Sequence, residues 1–271
     1  MVTKQPKFRP LQGIMRAAAT AMGIALMATT FASSATESGT LSYRAQRSIA
    51  NGRYAKAYSQ LERALLASRK ESDLLSESRV LISMAQIRTI SLEFNLADSL
   101  LAQVRSEILD EGTKVHFSMA KAAVANGRGE YKKAAKICTS VVPDSIKRAS
   151  EEAQAAFYSE CAIALAGDRQ MDAANESLRM AGKRSSKKGG FYAFTAARMA
   201  DLSGAPEADS LYRVAEAKAI DANKPYNTAT ILYLRSKLKS TPKKEVEELR
   251  LRCKNAFELI GLPNNAKRCA E

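Results

Sequence analysis

The chain has 271 residues, is 46% hydrophobic, and carries a formal net charge of +14, with seven Pro, thirteen Gly and no Trp. It can bury a substantial core. Its wealth of Ala, Leu, Ser, Lys, Glu and Arg argues for an all-helical fold and against a β-sandwich, which needs more β-branched and aromatic residues.

The N-terminus reads as a targeting segment. Lys4, Lys7, Arg9 and Arg16 precede the uncharged stretch "AAATAMGIALMATTFASSAT", which ends in small residues. This is the order of a secretory signal peptide over residues 1–35, with cleavage expected after Ala35 or Ala32. The rival reading is a retained anchor, since the stretch is about long enough to span a bilayer. A lipid-anchored cysteine is not expected, because the first Cys is Cys138. Removing four basic residues and no acidic one takes the net charge from +14 to +10.

From there the chain repeats itself. "NGRYAKAYSQLERAL" at 51–65 is echoed by "NGRGEYKKAAKI" at 126–137. Each places a Gly two residues before a Tyr and an Ala three residues after it: Gly52, Tyr54, Ala57 and Gly129, Tyr131, Ala134. A ladder extends the echo: a first Ala, a second twelve residues on, then apolar residues at +4 and +7. In chain order the rungs are Ala45, Ala57, Leu61, Ala64; Ala85, Ala97, Leu101, Val104; Ala122, Ala134, Cys138, Val141; Ala162, Ala174, Leu178, Ala181; and Ala196, Ala208, Tyr212, Ala215. Successive second alanines lie 40, 37, 40 and 34 residues apart. The last three positions of each rung share one helix face. The first Ala sits on a preceding helix, where close crossing demands a small side chain. Gly52, Gly129, Gly167 and Gly204 are expected to supply positive φ at the turns. Tyr54, Phe94, Tyr131 and Met171 are expected to plug the gap beside them.

Over roughly residues 40–220 this pattern resembles the tetratricopeptide repeat: a small residue in the first helix, a Gly-x-Tyr turn, and an "A-x3-L-x2-A" second helix as in "YAKAYSQLERA". The first-helix Trp and most closing Pro residues are missing, and most spacings exceed the usual length, so these are degenerate repeats with longer loops. The resemblance implies a right-handed α-solenoid of about six antiparallel helix pairs over 36–271. From about residue 222 an atypical capping pair is expected: "NTATILYLRSKL", then "STPKKEVEELRLRCKNAFELIG" with Thr241 as N-cap, Pro242 at the first helical position and Gly261 as the stop. "LPNNAKRCAE" is expected to add a short terminal helix.

Cys138, Cys161, Cys253 and Cys269 are an even number in a disulfide-permissive compartment, with no CxxC spacing for zinc or thioredoxin chemistry. Local pairing, Cys138 with Cys161 and Cys253 with Cys269, is one reading; four buried thiols acting as small hydrophobes is the other. No catalytic, metal or cofactor set assembles. His116 is the lone His and is expected to be a partly exposed helix residue; Glu151–Glu152 and Glu247–Glu248 point to different helix sectors. No GxSxG, HExxH, Walker or Rossmann motif is present.

What remains is binding. The tetratricopeptide resemblance implies a concave groove lined by first-helix positions: Ser42, Gln46 and Ile49; Arg79, Ile82, Gln86 and Thr89; His116, Met119 and Asn126; Ser159 and Ile163. Within it, Gln46, Gln86 and Asn126 are the candidates for hydrogen bonds to a partner's backbone. Arg79, Ile82 and Met119 are the flanking contacts. Such a surface suits an extended or helical segment of another protein. It lacks the Lys-and-Asn cluster with which some family members clamp a terminal carboxylate. The alternative is polyanion or envelope-surface binding through "GKRSSKKGG", with Lys183, Arg184, Lys187 and Lys188. Nothing aromatic is interleaved there to stack bases, which counts against nucleic acid. A third reading is an assembly subunit whose groove is filled by its own terminus or a second copy. The expectation is an exported, non-enzymatic interaction scaffold of the periplasm or cell envelope.

Overall fold

A computed structural model of the chain describes residues 36–185 and 189–271. Among them there is no strand, and fourteen α-helices pack in neighbouring pairs. The pairs are α1 (Glu37–Ala50) with α2 (Tyr54–Lys70), α3 (Leu74–Ile90) with α4 (Phe94–Leu101), and α5 (Glu111–Gly127) with α6 (Tyr131–Ser140). After the extra short helix α7 (Pro143–Arg148) come α8 (Glu151–Gly167) with α9 (Met171–Arg184) and α10 (Gly190–Ser203) with α11 (Ala208–Asp221). The chain closes with α12 (Pro225–Ser236), α13 (Lys243–Leu259) and α14 (Pro263–Ala270). None of the described helices is long and apolar enough to cross a membrane, and the proposed signal segment lies outside the described residues.

Helix ends follow local chemistry. The first helix of each of the first four pairs opens on a side-chain cap: Thr36, Asp73, Asp110 and Ser150 accept from the backbone N–H three residues on. The second helices have no such cap and start directly from tight turns. Five of these turns share one hydrogen-bond pattern, in which Arg53, Glu93, Glu130, Gln170 and Ala205 each donate a backbone N–H to the carbonyl five residues earlier. That closure puts the residue just before the donor in the left-handed region. The residues there are Gly52, Leu92, Gly129, Arg169 and Gly204. Gly167 was expected to serve this role; it lies instead at the end of α8, and Arg169 takes the positive φ of 63°.

Gly167 is needed for a different reason. A Cβ there would stand 2.2 Å from the Tyr131 ring, just as one on Gly127 would stand 2.4 Å from the ring of Phe94. The aromatics that open α4 and α6 therefore plug onto the end of the next pair's first helix. The alanine ladder is buried as expected for the first four rungs' alanine pairs. The fifth is shifted. Ala197, not Ala196, is fully buried, seven residues before the positive-φ Gly204, as Ala45, Ala85, Ala122 and Ala162 stand before theirs. Ala208 follows Gly204 by four residues, where the earlier second alanines follow their positive-φ residues by five, so the true offset is eleven. Two second helices also end early: Val104 and Val141 lie beyond α4 and α6, although Val104 is still buried.

The last pair is held differently. Arg235 on α12 is 3% exposed and touches three carboxylates: Asp209 at 2.9 Å, Glu216 at 2.6 Å and Glu245 at 2.7 Å. Arg213 and Arg252 neutralise the outer side of that cluster. Thr241 does not cap α13; its hydroxyl donates to the carbonyl of Arg235, and Pro242 occupies the cap. Beyond α13 the chain returns to its beginning. Tyr226 packs edge-on between Tyr54 and Phe257. Asn264 and Asn265 donate side-chain N–H groups to the carbonyls of Ser91 and Ile90, and Pro225 and Ile260 flank Gly52. One apolar cluster accordingly spans α1, α2, α3, α12, α13 and α14. Both local cysteine pairs are disulfides: Cys138–Cys161 joins α6 to α8 with Cα atoms 5.5 Å apart, and Cys253–Cys269 joins α13 to α14 at 5.9 Å.

Candidate functional site

The six residues singled out for partner contact are not equally available. Ile82 and Gln86 are buried in α3, a helix enclosed nearly all round, and Ile82 belongs to an apolar cluster with Leu81, Ala97, Leu101, Ala120 and Val124. Met119 is buried in the neighbouring cluster. Arg79 is tied to Asp110 at 2.6 Å and donates to the Thr113 hydroxyl. Gln46 is half-buried. Asn126, like Arg79, reaches across pairs, donating Nδ2 to Glu160 Oε1 at 2.7 Å and to the Glu160 carbonyl at 3.1 Å.

His116 was expected to be partly exposed and is buried, 4% accessible, beside Arg79 and Asp110. Burial strips the imidazolium of water and lowers the pKa to about 4, so the ring is neutral at physiological pH. Its Nδ1 has no partner, and the same holds for Asn126 Oδ1 and Ser159 Oγ. All three residues belong to the groove-lining set. A buried polar atom without a partner costs about 1–3 kcal/mol, and four more lie outside this set, on Ser38, Arg88, Arg250 and Asn265.

Glu160 is the residue that the sequence reading missed. It is half-buried on α8, two residues before the ladder's Ala162. Burial raises its carboxyl to about 7, against the opposing hydrogen bond from Asn126. Tyr226 of α12 is close enough for that carboxylate to add to the rise that burial already imposes on the phenol. A signal was present: Glu160 is the only charged residue from 153 to 167.

The basic loop is only partly available to a partner. Lys183 is exposed. Arg184 is engaged with Gln154, with the Met180 carbonyl, and over the Tyr158 ring at 4.9 Å. Lys187 and Lys188 lie outside the described residues. A different basic surface is formed by Lys132, Lys133 and Lys136, which with Tyr131 and Gly167 line an open cleft of about 540 Å³. A second cleft, about 330 Å³, lies where the α13–α14 turn meets α2 and the end of α3. There Arg88 stacks 4.0 Å over Tyr58 and pairs with Glu93. Among the described residues no group of His, Cys, Asp and Glu is arranged to hold a metal ion. Compared with family models and with curated proteins, the sequence matches none.

Proposed function

We propose that the protein is an exported, non-enzymatic interaction scaffold, a tetratricopeptide-like solenoid that binds a segment of another protein along the concave face of its first helices. The observation carrying this reading is a half-exposed polar pair on α5 and α8, Asn126 and Glu160, flanked by the half-exposed Ile163. An extended segment offers N–H groups to a carboxylate and side chains to an aliphatic neighbour, and so suits such a surface. Export is supported by the two disulfides, which persist in oxidising compartments. The contact region moves to the half-exposed Asn126, Glu160 and Ile163, because Ile82, Gln86, Met119, His116 and Ser159 are buried. The reading is tested by photo-crosslinking in the producing cell from Ile163 and, separately, from Lys132. Discrete adducts from Ile163, unchanged between about 50 and 200 mM salt, support it.

A second reading is polyanion binding at an envelope surface. The lysine-lined cleft on α6 favours it over the 183–188 loop, since Lys132 and Lys136 are exposed and no carboxylate stands within ion-pair distance of either. Adducts confined to Lys132 and lost with salt decide for this alternative.

A further inference from the structure

Among the described residues, most sheltered carboxylates are matched by a cation, Asp73 and Asp168 being held by neutral hydrogen bonds. Glu77, Glu93, Asp201, Asp209 and Glu216 each lie in an ion pair with an Arg. Glu160 is not. Its one hydrogen-bond partner is Asn126, and no Lys or Arg among the described residues pairs with it or acts on its charge. Arg268, which acts on its neighbour Tyr226, stacks on Tyr233 at 4.5 Å.

Asn126 fixes the arrangement. Its Nδ2 serves both the carboxylate and the backbone carbonyl of Glu160, which leaves Oδ1 buried with no donor. The adjacent Ser159 hydroxyl is likewise unpaired. The site thus presents one unfilled acceptor, the free carboxylate oxygen, backed by a buried amide oxygen, and its one amide donor is already used. Its chemical complement is a group with several N–H donors and a positive charge. We infer that Glu160, oriented by Asn126, is the anchor for a lysine or arginine side chain of the bound segment. Glu160 keeps part of its surface exposed, so a side chain can reach it. Its raised carboxyl pKa agrees, since a sheltered carboxylate gains most from an arriving cation.

This inference rests on the proposed concave-face binding and goes further by naming the partner's chemistry. It also opposes what bulk charge alone predicts. A chain of net charge +14, or +10 without residues 1–35, attracts acidic peptides.

The test is a selection of random dodecapeptides on the purified protein, followed by NMR mapping of the amides of α5 and α8. Binders are expected to carry a Lys or Arg. Replacing that Arg with neutral, near-isosteric citrulline should weaken binding about tenfold or more, as should Glu160→Gln, with no further loss when both are combined. Should Glu160→Gln not fold, the Arg-to-citrulline comparison on the unaltered protein decides alone. Peptides that perturb these amides yet bind equally with citrulline, or equally to Glu160→Gln, overturn the anchor and leave concave-face binding standing. Acidic binders, or none that touch α5 and α8, overturn both.

Discussion

The first four helix pairs and the last one solve the same packing problem by different physics. In residues 37–184 the helices cross on alanines, and an aromatic from each of two second helices drops onto a glycine of the following pair. Between α11, α12 and α13 the crossing is filled by a buried guanidinium ringed by Asp209, Glu216 and Glu245. Small-residue crossings tolerate loss and punish gain, because an added methylene has nowhere to go. A charged crossing is the reverse: every member depends on the others, and removing one strands a charge in low dielectric. The alanine region can therefore drift in sequence while remaining a repeat, whereas the charged pair is all or nothing.

The largest effect should come from breaking the charged crossing. Arg235→Met retains volume but leaves Glu216 buried with only Arg252 beside it, and should cost about 3–5 kcal/mol in urea unfolding. If the cost is under about 1 kcal/mol, the network is no more than a surface feature. Next are the disulfides, one in each region, closing separations of 23 and 16 residues. Replacing either pair with alanines should cost about 3 kcal/mol in the chain-entropy view. Equal losses would show that both regions unfold as one unit; a separate early transition on losing Cys253–Cys269 would show that the last pair unfolds on its own.

Overfilling sharpens the other side of the contrast. Gly167→Ala forces a methyl into the Tyr131 ring and should cost about 1–3 kcal/mol, and Tyr131→Leu in the same chain should recover part of it. Full additivity would mean that the ring does not rest on this glycine.

The smallest effect concerns the unpaired acid. The Glu160 carboxyl is raised from 4.5 to about 7 in the fold, so the folded state holds its proton more tightly than the unfolded one. Its contribution is complete below pH 4.5 and is lost as pH rises toward 7. Glu160→Gln should leave the Tm unchanged near pH 4.5 and raise it by about 2–4 °C at pH 8, for roughly 1 kcal/mol. Asp209 runs the other way. Burial alone would raise it, but hydrogen bonds from Arg213 and Arg235 outweigh that and hold it below its usual value. The last pair should therefore loosen only in acid, as pH falls through that lowered value.

Local chemistry was legible from the chain alone: the helical composition, the alanine ladder, the turns at Gly52, Gly129 and Gly204, the stop at Gly261 and the local pairing of cysteines. Each depends on residues within a few turns of one another, where small size or positive φ leaves a direct mark on residue choice. The shift from Ala196 to Ala197 was hidden because neighbouring alanines look alike until a turn sets the phase. Tertiary structure alone decided what depends on distant partners. Arg235, Glu216 and Glu245 read as ordinary surface charges until three helices enclose them, and Ile82, Gln86 and His116 read as groove or partly exposed residues until α3 and α5 are buried. Glu160 announced itself only as one charge in an uncharged helix. That it lacks a counter-ion is a property of everything packed around it, which no local stretch of sequence specifies.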